Sequence, residues 1–166
     1  MPELPYYRIP EPPLEINATT LLIRLLDGLG FRYRWATEGL RKQDYIYQPS
    51  IDSMTVKELL KHIFRLLNWS YECLGGEPEI IMDSYELDEV RSRTLKKLVM
   101  LRKLLESIED KKLASCTISS RGIEYPFWNL VNGPLSDALT HVGQINSWRR
   151  LNGNPVSKVN VFTGNP

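Results

Sequence analysis

The sequence predicts an all-α fold, a four-helix bundle preceded by an irregular proline-rich segment and followed by a short tail. Three observations carry that expectation. Four stretches place leucines and other apolar residues at the i, i+3, i+4 spacing of helices with one buried face. Recognisable capping and stop residues bracket those stretches. No internal repeat, low-complexity block or composition shift marks a second unit, so residues 1–166 are expected to form one domain.

The opening stretch to Glu15 carries Pro2, Pro5, Pro10, Pro12 and Pro13 and should be irregular or extended. Asn17 is placed to cap a first helix that runs to about Leu40, with Leu21, Leu22, Leu25, Leu26, Leu29, Tyr33 and Ala36 as its stripe. Gly28 and Gly30 each weaken it by up to about 1 kcal/mol relative to alanine, which favours a local bend. A polar, aromatic loop spans Arg41 to Met54. Thr55 and Glu58 form a capping-box pattern for a second helix, which ends at Gly75-Gly76 before Pro78.

Asp83 and Glu86 are the cap candidates of a third helix, with Leu87, Val90, Leu98, Leu101, Leu105 and Ile108 facing inward. Lys96, Lys97, Arg102, Lys103, Glu106 and Glu109 read as its solvated face. Residues from Ala114 to Tyr125 form a loop with some β-like content. A fourth helix is expected from about Phe127 to Leu151, kinked or delayed in its start by Pro134. The tail from Val156 has short β-like pieces that should pack along the bundle.

Composition narrows the function classes. Twenty-one Lys and Arg balance 20 Asp and Glu for a net charge of +1, so no basic field exists to attract a phosphate backbone and nucleic-acid binding is not expected. No apolar run approaches the roughly 18 residues of a membrane span. The first residues lack the basic and apolar regions of a secretory signal, and Cys73 and Cys116 have neither metal-ligand nor redox-motif spacing. A cytoplasmic protein with free thiols is the expectation.

Both histidines lie at the margin of an apolar face. On the fourth helix, Val131, Pro134, Leu135, Ala138, Val142 and Ile145 make the apolar arc, and Asp137, His141 and Gln144 cluster at its edge. On the second, Leu59, Ile63, Leu66 and Leu67 make the arc, with His62, Trp69 and Cys73 marginal. Residues i and i+4 of a helix are neighbours, so Asp137 and His141 can approach one metal ion together, and His62 is the remaining histidine to join them. The plainer alternative is a hydrogen-bonded structural histidine, with Asp137 orienting His141 or pairing with Arg32. Arg32 falls inside the apolar arc of the first helix, where a cation needs a carboxylate or an anionic ligand.

Taken in order, the capped second helix with one His, Asp137-x-x-x-His141-Val-Gly-Gln144 and Trp148-Arg149-Arg150 resemble the DinB-like superfamily of metal-binding four-helix bundles over nearly the whole chain. The resemblance implies a divalent metal held by His62, Asp137 and His141, with Asp137 where many relatives carry histidine. A carboxylate there shifts preference from zinc or nickel toward harder ions, so Zn, Ni, Fe and Mn are all candidates. It further implies a thiol-dependent transferase or a hydrolase acting on a small-molecule substrate, with a low-molecular-weight thiol as cosubstrate. By the same analogy Gln144 holds the reacting water and Arg32 binds a substrate carboxylate. A homodimer formed through one bundle face is expected too. The competing expectation is a metal-free bundle that serves as an interaction or structural module.

Overall fold

A computed structural model describes residues 3–80 and 85–166. Four long helical segments dominate: α1 (Ala18–Thr37), α3 (Val56–Cys73), α4 (Leu87–Glu106) and α7 (Ser136–Leu151). The short helices α2 (Lys42–Tyr45), α5 (Asp110–Ala114) and α6 (Trp128–Leu130) lie in the connections, with an antiparallel hairpin of β1 (Thr117–Ser120) and β2 (Ile123–Pro126). In cross-section α4 and α7 each touch both α1 and α3, so α1 and α3 sit on a diagonal. The core between them is built from Leu26, Leu29, Tyr33, Leu59, Ile63, Leu67, Leu95, Leu98, Ala138, Val142 and Ile145. The all-α bundle expected from the sequence is the architecture observed, and its fold is reached with one small hairpin added.

The caps explain two of the helix starts. Asn17 accepts from the Thr20 amide while Thr20 Oγ1 accepts from the Asn17 amide, and Thr55 and Glu58 form the same reciprocal pair on α3. Each such cap stabilises a helix by about 1 kcal/mol. Asp83 lies outside the described residues. Glu86 stands at the N-cap of α4 with extended dihedrals, and its side chain makes no capping hydrogen bond.

Several expectations are corrected. α1 stops at Thr37 rather than Leu40, because Gly39 adopts a left-handed φ of 66°. Leu21 and Leu25 are 61% and 37% exposed; the buried stripe runs instead through Leu22, Ile23, Leu26 and Leu29, which face α4 and α7. The loop between the first two long helices contains α2. Gly30 is explained by a close approach rather than a bend: a Cβ there would lie 2.7 Å from the Tyr6 ring, which the proline-rich segment inserts against α1. The β-like stretch after α5 is a genuine hairpin, turned by Arg121 and Gly122 at φ of 52° and 79°.

The third helix departs most from its solvated reading. Lys97 is 1% exposed, with its ammonium 3.6 Å from Glu79 and 4.7 Å from the Tyr71 ring centroid. Asn68 clamps the Glu79 backbone through both its amide groups, which brings that carboxylate over α4. Arg102 likewise reaches across to the fully buried Asp27 at 3.1 Å. Lys97 is buried and Arg102 largely covered because each has a partner on a neighbouring segment, which a helical wheel cannot display.

Gly133 has non-helical dihedrals (φ −89°, ψ −107°) before Pro134, within a π-helical turn over Val131–Leu135, and regular α-helix resumes at Ser136. The kink expected at Pro134 is therefore present. In the tail, Asn160 and Asn165 form an isolated bridge, and the Ile9 amide donates to the Gly164 carbonyl, tying the tail to the proline-rich segment. Among the described residues no helix is long and apolar enough to cross a membrane.

Candidate metal centre

The α3 stripe Leu59, Ile63, Leu66 and Leu67 turns into the core and leaves His62 at the edge that faces α7. On α7, Ala138, Val142 and Ile145 are buried, so Asp137 and His141, one turn apart, stand at the same seam. The structure brings the three side chains together. Their ligand atoms all lie within 4.8 Å of one another. His62 Nε2 is 3.3 Å from Asp137 Oδ2, and His141 Nε2 is 3.3 Å from Asp137 Oδ1. The two imidazoles meet edge to face, with centroids 4.8 Å apart.

The two 3.3 Å separations match those of donors that share an ion. Donors about 2.1 Å from a tetrahedral metal stand about 3.4 Å from each other. The set of two imidazole nitrogens and one carboxylate oxygen is a known donor combination for Zn and for Fe(II). The hydrogen bonding adds a second argument. His141 Nδ1 lies 2.6 Å from Gln144 Oε1. With that oxygen as acceptor the ring donates through Nδ1, and a neutral imidazole then presents an unprotonated Nε2 to Asp137. Two electron-rich atoms face each other at 3.3 Å, an arrangement that calls for a cation, either a proton or a metal ion, between them.

The centre stands between two open cavities. Asp137 lines one of about 600 Å³ with Trp69, Ser120, Tyr125, Asn129 and Asn132. His62 lines the other, about 570 Å³. Access is unequal among the ligands: the side chains of Asp137, His62 and His141 are 44%, 31% and 12% exposed. His141 is thus the anchored member, and Asp137 the most solvated.

The remaining predicted residues divide. Gln144 is at the centre, engaged with the His141 ring. Arg32 is not part of either cavity. It lines a separate groove with Leu139, Gly143 and Asn146, on another face of α7, and donates to the Gly28 carbonyl at 3.2 Å. A helix carbonyl and an open groove meet its charge, where the sequence called for a carboxylate or an anion.

Sequence reasoning missed the polar wall of the Asp137 cavity. Ser120 and Tyr125 arrive on the hairpin, and Asn129 and Asn132 arrive through the turn before α7. The turn residues Gly122 and Gly133 were the available signals. It missed a second cluster as well, at the far end of α7. Arg149, 3% exposed, donates to the carbonyls of Ala36, Glu38 and Asn154 at 2.7–2.9 Å. Asp44, 1% exposed, accepts from Arg41, Asn152 and Asn154. Burial alone would raise the Asp44 carboxyl, but these hydrogen bonds hold it well below the usual carboxylate range.

No protein-family model matches this sequence, and no curated protein matches it. Among solved structures the chain is similar to the crystal structure of a DinB-like protein, YjoA from Bacillus subtilis. The two share 16% sequence identity at a TM-score of 0.65, over 87% of this chain and 98% of that one. At that identity the likeness establishes the fold, and the fold is DinB-like.

Proposed function

We propose that this protein binds one divalent metal ion through His62, Asp137 and His141 and acts on a small molecule as a metal-dependent enzyme, a thiol-dependent transferase or a hydrolase. The observation that supports it is the convergence of three ligand atoms from two helices at a half-open seam between two cavities. A structural site is closed around its ion, whereas three protein ligands beside a cavity leave room for a further group. Zn, Ni, Fe and Mn fit the donor set.

Each residue has a task that its surroundings support. His141 supplies Nε2, because Gln144 Oε1 accepts a hydrogen bond from Nδ1–H and holds the ring plane. His62 closes the set from α3. Asp137 contributes negative charge, which favours retention of a dication, and it borders the cavity where Trp69 and the hairpin would receive a substrate. Such an ion, when bound, supplies Lewis acidity that lowers the pKa of a thiol or of water. The roles of Gln144 as holder of the reacting water and of Arg32 as a carboxylate clamp rest on the resemblance; the hydrogen bond to His141 favours an orienting task for Gln144.

A second reading has its own observation. If the Gln144 amide is turned, it donates to His141 Nδ1, and Nε2–H can then donate to Asp137 without any metal. The seam would then be a hydrogen-bonded chain in a metal-free interaction module. Elemental analysis of untagged protein separates the two. Stoichiometric metal that is lost in both His62→Ala and His141→Ala is expected, and protein that purifies and reconstitutes without bound metal would sink the enzyme reading.

A further inference from the structure

We infer that the groove between α1 and α7, on another face of α7 from the histidines, binds an amphiphilic anion: an acyl chain that ends in a carboxylate. The site needs no metal and stands apart from the reading above. Two cavities lie end to end along α1 and share Leu25 as a wall. One, of about 490 Å³, is lined by Leu21 and Leu25 of α1, by Leu113 of α5, and by Phe127, Trp128 and Val131. The other, of about 430 Å³, is bordered by Arg24 and Arg32 together with the buried Leu29 and Val142. Leu21, Leu25, Gly28 and Arg32 stand at i, i+4, i+7 and i+11, so they form one stripe along α1, about 16 Å long at the α-helical rise. The apolar spacing assigned Leu21 and Leu25 to the core, yet both are exposed, and so is Trp128. These three leave apolar surface in water beside a cavity, an arrangement that a bound apolar chain relieves.

The second cavity supplies the charge. Arg32 donates to the Gly28 carbonyl and, among the described residues, pairs with no carboxylate. Arg24 donates to the Pro10 carbonyl at 2.8 Å. The buried Asp27 offsets part of the Arg24 charge, although its own ion pair, at 3.1 Å, is with Arg102 of α4. No acidic side chain lines this cavity. Gly28 and Gly143 bring no side chain into it, and a Cβ at Gly28 would stand 3.2 Å from Arg32 Nη1, so glycine gives the guanidinium room along the helix. Asn146 lines the same cavity, and its carboxamide makes no hydrogen bond among the described residues, which leaves its NH2 to a bound oxygen. A guanidinium fork beside an amide NH2 suits a carboxylate. At the opposite end Asp110 borders the apolar cavity, its carboxylate accepting from the Ala18 and Thr19 amides. That charge repels an anionic head, so the ligand lies with its chain toward Trp128 and its carboxylate toward Arg32. Cavities of this size fit a free small molecule, and a net charge of +1 provides no basic field for an anionic membrane.

Dodecanoate is the probe, with butanoate as the same head without the chain and dodecyltrimethylammonium as the same chain with the opposite charge. Each is titrated below its micellar concentration into full-length protein, chelator-treated and zinc-loaded in turn. Binding is followed by calorimetry and by the indole ¹H–¹⁵N resonances of the four tryptophans. A single dodecanoate per chain is expected, equally with and without zinc, shifting Trp128 and leaving Trp69 of the Asp137 cavity unmoved. Butanoate and the ammonium amphiphile should each bind at least about tenfold more weakly. Arg24→Gln/Arg32→Gln should lose about tenfold in dodecanoate affinity with metal stoichiometry unchanged. Leu21→Gln, at an exposed position, should weaken dodecanoate by about threefold through the chain end, and it carries the test even where the arginine variant is unstable. Absence of saturable dodecanoate binding overturns the inference, as does equal affinity for the ammonium amphiphile or an affinity unchanged in both variants. Binding that requires zinc would place the carboxylate on the metal and overturn it as well. So would a dimer, seen by sedimentation, that excludes dodecanoate, because a second copy would then be the occupant.

Discussion

Helix α7 carries two polar clusters that look alike in the sequence and differ in the fold. At its C-terminal end, Arg149 and Asp44 are 3% and 1% exposed and held by several protein partners each. Three turns earlier, Asp137 and His141 meet His62 at a seam where exposures range from 12% to 44% and donor atoms face one another. The first cluster directs its hydrogen bonds to the protein's own groups. Its guanidinium satisfies the carbonyls at the end of α1, and its carboxylate gathers the chain after α7 onto α2. The second keeps ligand atoms that are partly open to solvent beside two cavities. Burial among the protein's own partners marks an architectural cluster, and convergence of partly solvated ligand atoms beside a cavity marks a candidate site.

The largest effect should fall on the buried cluster. Arg149→Ala or Asp44→Ala leaves buried hydrogen-bonding groups without partners and should cost about 2–4 kcal/mol in urea unfolding. Metal affinity should stay unchanged in whatever fraction remains folded. A loss below 1 kcal/mol would erase the contrast between the two clusters. The same carboxylate predicts the acid limb. Because the folded pKa of Asp44 is depressed, its contribution is complete above the ordinary carboxylate pKa and disappears as pH falls through that value toward the folded one. Stability measured from pH 5 downward should therefore drop less steeply in Asp44→Asn than in the parent.

The open cluster should respond in the opposite sense. His62→Ala and His141→Ala should lower metal affinity by two or more orders of magnitude while shifting stability of the metal-free protein by under about 1 kcal/mol, since both rings are partly solvated. Gln144→Ala removes only the orienting hydrogen bond and should weaken metal binding by about 10–100-fold, read by competition with a chromophoric chelator. Smallest of all is Asp137→His. It should keep stoichiometric metal and move the preference from Fe and Mn toward Zn and Ni, visible in competition among those ions. Loss of all binding in that variant would show that the carboxylate is needed for its charge and not simply as a donor.

How far the site was legible follows from what a helical wheel contains. Asp137 and His141 are one turn apart on one helix, so their juxtaposition was fixed by spacing. The marginal position of His62 could be read from the stripe of Leu59, Ile63 and Leu66, but not the α3–α7 adjacency that brings it to the pair. Arg32 shows the opposite failure. Its wheel placed it among apolar neighbours, yet the groove beside it is open and faces another side of α7. Lys97 was assigned to solvent because its partner Glu79 approaches from a connecting segment, beyond any periodicity within the helix.

By itself, then, the sequence determined the helices, two of their caps and the residues on each margin, since these depend on contacts within about four residues. The cap pairs at Asn17 and Thr55, the break before Ser136 and the pairing of Asp137 with His141 are all of that kind. Only the tertiary structure decided which margins meet. It set α1 and α3 on a diagonal, seated α3 against α7 and placed two cavities on either side of the histidines. Those outcomes depend on how whole apolar faces fit together, a property of shape and volume that no local spacing encodes.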